Sequence, residues 1–207
     1  MTKDHPIFLE SIEFIRSNLD PLEFNYLETK VLERLIHTSG DFSIKELLSF
    51  SNNACKYALN ALKNGAPILT DTDMAAIALK SMVKRTRKNV VYSAMKWGND
   101  NNDSALTKTA YGIEKGWSFL SKEFCGNLSP IVIFGSSPTG LEKLLDILEK
   151  TNQRPSLIVG MPVGFIGVER AKTRLKKTTY PYIILNSSRG GAAMAASCVN
   201  ALLRELI

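Results

Sequence analysis

Two short runs in the second half of the chain, Ile131–Phe134 and 157–159, are apolar at every position. A strand with one face in water alternates apolar and polar residues, so uninterrupted apolar runs are typical of strands buried on both faces. Three further strand patterns, at residues 67–70, 89–95 and Tyr182–Leu185, are separated from these and from one another by helical patterns. Five strands alternating with helices predict a three-layer α/β/α fold with a five-stranded parallel sheet.

In such a sheet, ligands bind in the crevice outside the carboxyl ends of the strands. Four segments pass from a strand into a helix at that edge, where free backbone N–H groups attract anions. They are residues 70–71, the turn at Gly135, residues 160–167 and residues 186–191. We therefore expect a binding site for an anionic ligand at this end of the sheet.

The length of 207 residues suits a single domain over residues 1–207. No apolar run approaches the roughly 18 residues that a membrane-spanning helix needs, and the N-terminus lacks the apolar core of a secretory signal. Cys55, Cys125 and Cys198 are odd in number and widely spaced, which is typical of buried, reduced thiols. The sequence predicts a cytoplasmic protein with no membrane partner.

Motifs for cofactors are incomplete in this chain. Gly135 and Gly140 have the spacing of a P-loop, but Leu-Glu follows where Lys-Ser/Thr is needed. Residues 160–167 read G-x-x-x-G-x-x-G, and Pro162 removes an amide that a pyrophosphate could use. Both segments are interpreted either as tight turns or as ligand contacts. With two histidines and no clustered carboxylates, we expect neither a metal site nor an organic cofactor.

The formal net charge of +6 favours an anionic partner. Basic residues form two groups: Lys80, Lys84, Arg85, Arg87 and Lys88, and then Arg170, Lys172, Arg174, Lys176 and Lys177. Such groups are typical of solvated helix ends. Nucleic-acid binding would require interleaved aromatic residues or a reading helix, and neither pattern is present.

His37 lies where a helical pattern runs out into a polar turn. Residues 20–23, Asp-Pro-Leu-Glu, predict the start of this helix, and Gly40 predicts its end. Arg34 and His37 are three residues apart, so both project from one side of the last turn. A fixed cation beside a group that titrates near neutral pH can hold and protonate an anionic substrate. A histidine here can equally serve to stabilise the helix dipole.

Several further segments accompany this pair in order along the chain. They are residues 7–12 (IFLESI), 65–71 (GAPILTD), 135–141 (GSSPTGL), 160–167 (GMPVGFIG) and 189–191 (RGG). Together with Arg34-x-x-His37, they resemble the precorrin-8X methylmutase family of the cobalamin pathway over nearly the whole chain.

The resemblance implies a flavodoxin-like sheet, a homodimer with its site near the subunit interface, and an isomerase. The expected reaction moves a methyl group from C-11 to C-12 of a tetrapyrrole, which is the substrate partner. The resemblance implies His37 as the general acid, with Ser11 and Arg34 positioning the ligand. Lys108, Ser188 and Arg189 are expected to hold peripheral carboxylates of the ring. It leaves open whether the substrate carries cobalt.

Two positions depart from the family pattern. Lys108 stands where relatives carry arginine, so the planar, bidentate fork is lost. Arg189 is displaced by one residue relative to the family's Gly-Arg-x-Gly-Gly-Ser, which changes where its side chain points. Two alternative functions remain: a corrinoid carrier that binds without turnover, and, with weaker support, a nucleotide-dependent enzyme.

Overall fold

A computed structural model of the chain describes residues 4–20, 23–86, 88–98 and 105–207. Its centre is a sheet in the order β1-β6-β5-β4-β2-β3. The strands are β1 (Leu48–Phe50), β2 (Ile68–Thr70), β3 (Val91–Ser93), β4 (Ile131–Phe134), β5 (Leu157–Gly160) and β6 (Tyr182–Leu185). The five predicted strands are β2 to β6, and all of them run parallel.

The sheet has one strand more than the sequence predicts, because β1 pairs antiparallel with β6 at the edge. The expected five-stranded parallel sheet is therefore a six-stranded mixed one. Without β1, the strands follow the flavodoxin-like order 2-1-3-4-5 when renumbered along the chain. The strand order reverses between β2 and β4, so the crevice of such folds lies at the carboxyl ends of these two strands.

The helices cover both faces of the sheet. They are α1 (Pro6–Ser17), α2 (Tyr26–Ser39), α3 (Ile44–Leu47), α4 (Ala54–Asn64), α5 (Asp73–Thr86), α6 (Lys108–Glu123), α7 (Pro138–Glu149), α8 (Val168–Lys176) and α9 (Ala192–Arg204), with 3-10 turns at Ala94–Trp97 and Gly126–Leu128. None of the helices in the described part of the chain has the length and apolarity that crossing a bilayer requires.

Two apolar cores lie on opposite sides of the sheet. Ile131 and Ile133 of β4 face the core shared by α1, α2, α4, α5 and α9, whereas Val132 and Phe134 face that of α6, α7 and α8. All four side chains are fully buried. This confirms the prediction that the uninterrupted apolar runs are strands covered on both faces.

The helix that carries His37 begins later than the sequence predicts. Asn25 caps α2, accepting the N–H groups of Leu27 and Glu28, and the Glu28 carboxylate accepts the N–H of Asn25. The predicted start at residues 20–23 is wrong, and Pro21 and Leu22 lie outside the described residues. The end is as predicted, since Gly40 terminates α2 in the left-handed conformation with φ 67°.

Candidate active site

His37 lies in the last turn of α2 and is hydrogen-bonded to a residue of α1. Its Nδ1 is 2.8 Å from the Oγ of Ser11. The ring of Phe8, one turn earlier on α1, meets the imidazole edge-on at a centroid distance of 5.2 Å. These two contacts fix the orientation of the imidazole and leave Nε2 as the ring nitrogen that can face a ligand. The structure thus brings together the predicted residues Ser11 and His37.

Two arginines pack on the same phenyl ring. The guanidinium carbon of Arg34 is 5.3 Å from the centroid of Phe8, and that of Arg204 is 4.2 Å from it. Both distances allow a cation–π interaction. Arg204 also lies 3.1 Å from the Asp4 carboxylate. Arg34 is therefore next to His37, where the sequence predicts it. A surface position would suggest an ion pair between Arg34 and Glu33. Glu33 pairs instead with Arg16 and Lys30.

Sequence patterns gave no indication of Arg204. It is the last residue of α9 and belongs to no motif, and only the packing of α9 against α2 brings it to the site. A signal that could have found it is the isolated basic residue at the end of an otherwise apolar helix, but such residues also commonly stabilise the helix dipole.

The two arginines influence the protonation of His37. Partial burial first, and then the charges of Arg34 and Arg204, lower the pKa of His37 below 6.5. Burial and the neighbouring Arg204 likewise lower the pKa of Arg34. His37 is therefore mainly neutral at pH 7 in the free protein. Because an anionic ligand on the arginines would offset their charge, binding of a carboxylate would favour the protonated imidazole.

A cavity of about 340 Å³ adjoins this cluster between α1, α2 and α9, and its lining includes Phe8, Arg34 and Arg204. Cavities that enclose drug-sized ligands measure about 300–1,000 Å³. The volume of this cavity is at the small end of that range, and the cavity is small for a ligand as large as a tetrapyrrole.

Arg189 and Ser188 lie in the loop between β6 and α9, at the carboxyl end of the sheet. The Arg189 guanidinium is bound to the Asp41 carboxylate and donates to Ser43 Oγ at 2.7 Å. Hydrogen bonds from Ser43, followed by the charge and hydrogen bond of Arg189, hold the pKa of Asp41 below its ordinary value. Arg189 thus connects this loop to the turn that follows α2, close to His37 in sequence.

Lys108 is the first residue of α6 and is exposed. The helix belongs to the layer on the other side of the sheet from α1, α2 and α9. The side chain of Lys108 lies over Gly98, and a Cβ added to that glycine would come within 2.7 Å of it. The structure therefore brings Ser11, Arg34 and His37 together and places Lys108 in the opposite layer.

The turn after β4 does not offer the free amides that the sequence predicts. The N–H groups of Gly135, Ser136 and Ser137 all donate to one carboxylate oxygen of Asp71, at 3.0, 2.6 and 2.8 Å. Asp71 follows β2 and is fully buried. Burial raises its pKa, and the three N–H donors oppose that rise. At the point where the strand order reverses, the backbone N–H groups therefore bind the carboxylate of Asp71 and not an anionic ligand.

The three cysteines differ in their exposure. Cys55 and Cys198 are buried, as predicted, and burial raises the pKa of the Cys55 thiol to about 12. Cys125 is exposed, contrary to the prediction. Among residues 4–20, 23–86, 88–98 and 105–207, no three His, Cys, Asp or Glu side chains converge as ligands of one metal ion.

The strand order and the His37 cluster define a flavodoxin-like α/β protein with a histidine, a serine and two arginines gathered beside the sheet. The chain matches the family described as Precorrin-8X methylmutase over residues 6–205. The cobalt-precorrin-8 methylmutase of Synechocystis sp. is 29% identical over 97% of this chain and 95% of the relative. The precorrin-8X methylmutase of Pseudomonas aeruginosa is 34% identical over 85% of this chain and 83% of the relative.

A solved structure shows the same fold. The precorrin-8X methyl mutase from Thermus thermophilus superposes with a TM-score of 0.85 at 30% identity, covering 97% of this chain and 95% of that one. The chain belongs to the precorrin-8X methylmutase family. Members of this family are isomerases, specifically methylmutases, of cobalamin biosynthesis. The resemblance seen in the sequence is thereby confirmed.

Proposed function

We propose that this protein catalyses the 1,5-sigmatropic shift of a methyl group from C-11 to C-12 of a precorrin-8 tetrapyrrole, with His37 as the general acid. The observation that carries the proposal is the hydrogen bond between Ser11 and His37 beside Arg34, in a chain of this family. The migrating carbon stays within one molecule, so the reaction needs neither a methyl donor nor a redox partner.

The role of His37 follows from its surroundings. When the ring is protonated, Nδ1–H donates to Ser11 Oγ, and Nε2–H is available for the substrate. A proton delivered to the conjugated ring system makes it poorer in electrons, which lowers the barrier to methyl migration, and the same nitrogen then takes the proton back. Ser11 would thus orient the acid, and Arg34 would hold a carboxylate and so favour the protonated imidazole.

The peripheral carboxylates of the substrate would supply the binding energy. We propose Ser188, Arg189 and Lys108 as further contacts, in addition to Ser11 and Arg34. For Arg189 this requires that a substrate carboxylate share or replace the contact with Asp41. Several contacts around a rigid ring hold it in one pose, and orientation of this kind can contribute much of the rate.

Turnover tests the proposal directly. Purified protein incubated with precorrin-8X, and separately with cobalt-precorrin-8, should produce an isomer of unchanged mass with a changed absorbance spectrum and a shifted methyl resonance. The pair of substrates also shows whether cobalt is required. A protein that binds both tetrapyrroles tightly but converts neither is a corrinoid carrier, and the catalytic proposal is then wrong.

The protein is also expected to be a homodimer, with each site completed by the partner subunit. The cavity beside His37 is small for a tetrapyrrole, and the adjoining helix α1 exposes large apolar side chains, with Ile7 69% and Phe14 63% exposed. Light scattering at micromolar concentration should give twice the mass of one chain, and Phe14→Glu should shift the protein towards the monomer. A fully active monomer would contradict this expectation.

The three unpaired cysteines support a cytoplasmic location.

Lys108 should contribute to binding without being essential to the chemistry. Lys108→Ala is expected to weaken corrinoid affinity by about 1 kcal/mol, because the side chain is exposed and its charge is screened by solvent. Lys108→Arg should bind as well as the parent or better, since it restores a planar donor fork. Titration followed by absorbance measures both. An unchanged Kd for Lys108→Ala would place the carboxylate contact elsewhere.

A further inference from the structure

Lys172 on α8 is a buried charged side chain that the proposed chemistry does not use. It is only 2% exposed, although the basic pattern around it predicts a solvated helix end. Burying an ammonium group is costly unless hydrogen bonds compensate it, and the partners of such a group show what it stabilises.

The partners of Lys172 are two carbonyl groups of the loop between β6 and α9. Its Nζ donates to the carbonyl oxygen of Ser187 at 2.8 Å and to that of Arg189 at 2.7 Å. These carbonyls flank Ser188. The neighbouring basic residues of α8 are used differently, since Arg170 and Arg174 pair with Glu142 on α7. Lys172 is therefore directed at the loop and not at the adjacent helix.

The loop has a conformation that needs support. Ser187 has φ 68°, a left-handed conformation that is unfavourable for a residue with a side chain. Gly190 packs so closely against the end of β5 that a Cβ would lie 2.0 Å from the carbonyl oxygen of Met161. The carbonyl of Ser188 accepts the N–H of Gly164 at 3.0 Å. The loop is thus fixed from several sides, and Lys172 supplies its two charge-assisted hydrogen bonds.

We propose that Lys172 is a positioning residue that holds residues 187–191 in the shape that presents Ser188 and Arg189 to the carboxylates of the substrate. The contact of Arg189 with Asp41 extends this support to the turn after α2, and hence towards His37. The identity of the ligand rests on the proposed function, whereas the effect of Lys172 on the loop does not.

The charge of Lys172 gives the proposal a distinctive pH dependence. Burial lowers its pKa to about 8, and Glu169 on the same helix opposes this effect. Across the loop, the charged neighbours Arg189 and Asp41 form an ion pair with each other. As the pH rises through about 8, the ammonium group loses its proton and its hydrogen bonds to the two carbonyls weaken. Corrinoid affinity should fall over the same range.

Three variants and a matched control test the role of Lys172. Lys172→Met removes both the charge and the donors, Lys172→Gln keeps a neutral donor, and Lys172→Arg keeps the charge. Lys176→Met, one turn along α8, removes a solvent-exposed lysine and leaves Lys172 in place. Hydrogen exchange of the amides of residues 187–191 reports on the loop, and titration with hydrogenobyrinate, the product of the proposed reaction, reports on binding.

We expect Lys172→Met to accelerate exchange in the loop and to raise the Kd for hydrogenobyrinate about tenfold, with a much smaller change in kcat. Lys172→Arg should recover part of the affinity, and Lys176→Met should match the parent. The parent's Kd should rise between pH 7 and pH 9, whereas that of Lys172→Gln should not change with pH. Should Lys172→Met not fold, Lys172→Gln and the pH profile of the parent decide the question.

Unchanged loop exchange and unchanged Kd in Lys172→Gln, together with a flat pH profile in the parent, would overturn the proposal. If the parent itself does not bind hydrogenobyrinate, the proposed function fails, and hydrogen exchange still decides whether Lys172 holds the loop.

Discussion

Replacing His37 with phenylalanine should reduce the methyl shift by about 10²–10⁴-fold, the range typical of a lost general acid, while leaving corrinoid binding largely in place. Binding is spread over several carboxylate contacts, whereas proton donation rests on one imidazole. The other histidine, His5, caps α1 through its own ring nitrogen. Turnover in the variant should therefore be slow enough that the bound precursor keeps its spectrum over the time in which the parent converts it.

The pH dependence gives a second measurement of the same role. Burial and the charges of Arg34 and Arg204 lower the pKa of His37. As the pH rises, the imidazole of the free protein therefore loses its proton at a pH below 6.5. kcat/KM, which reports the free enzyme, should therefore fall with increasing pH from below 6.5, whereas kcat should persist to higher pH because bound carboxylates offset the arginine charges.

Two control variants separate the acid from its surroundings. Ser11→Ala keeps the imidazole and removes its hydrogen-bond partner, so turnover should fall only about fivefold, equivalent to roughly 1 kcal/mol. Ser39→Ala removes a hydroxyl of the same helical turn that bonds to the backbone at Leu35 and Asp41, so its turnover should stay close to that of the parent. A His37→Phe protein that converts precursor at the parental rate would show that the acid is another group, without affecting the assignment of the fold.

The sequence predicts the parallel strands well because their signal is local. An uninterrupted apolar run such as Ile131–Phe134 has few other stable placements than a strand covered on both faces. Strand β1 has no such signal, since it has only three residues, Leu48–Phe50, and two of them are only partly buried. Its pairing with β6 is a long-range contact, and nothing local specifies it. The prediction of where α2 starts was wrong for another reason. Asp-Pro-Leu-Glu and Asn-Tyr-Leu-Glu both fit a capping box, and packing selects the second.

The distinction between local signals and long-range contacts applies to the site as well. Arg34 and His37 were predictable as a pair because a spacing of three residues on one helix places both side chains on the same side. Ser11 has no signal of its own, and its position beside His37 depends on how α1 packs against α2. Arg204 and Lys172 were missed because a basic residue in sequence is read as solvent-exposed, and only tertiary contacts with Phe8 and with the loop at residues 187–191 reveal what they do.

Removing the carboxylate of Asp71 should produce the largest loss of stability among the changes considered. Asp71→Ala leaves the buried N–H groups of Gly135 and Ser137 and the partly buried N–H of Ser136 without their acceptor. An unsatisfied buried donor costs about 1–3 kcal/mol, so the loss of unfolding free energy should be at least about 3 kcal/mol. For a chain of this size, that corresponds to a decrease in Tm of roughly 10 °C. Thermal and urea unfolding measure the two quantities.

Asp71→Asn separates the hydrogen bonds from the charge. The amide oxygen can take the place of the oxygen that accepts the three N–H groups, and its NH₂ can donate to the Thr72 hydroxyl, which now donates to the other carboxylate oxygen at 3.3 Å. The asparagine variant should therefore lose much less stability than the alanine variant. Asp73→Ala, an exposed change two residues away, is the matched control and should stay within about 0.5 kcal/mol of the parent. An Asp71→Ala protein as stable as this control would show that the turn finds other acceptors. The predicted difference would instead establish that an internal carboxylate, and not a bound anion, shapes the turn where the strand order reverses.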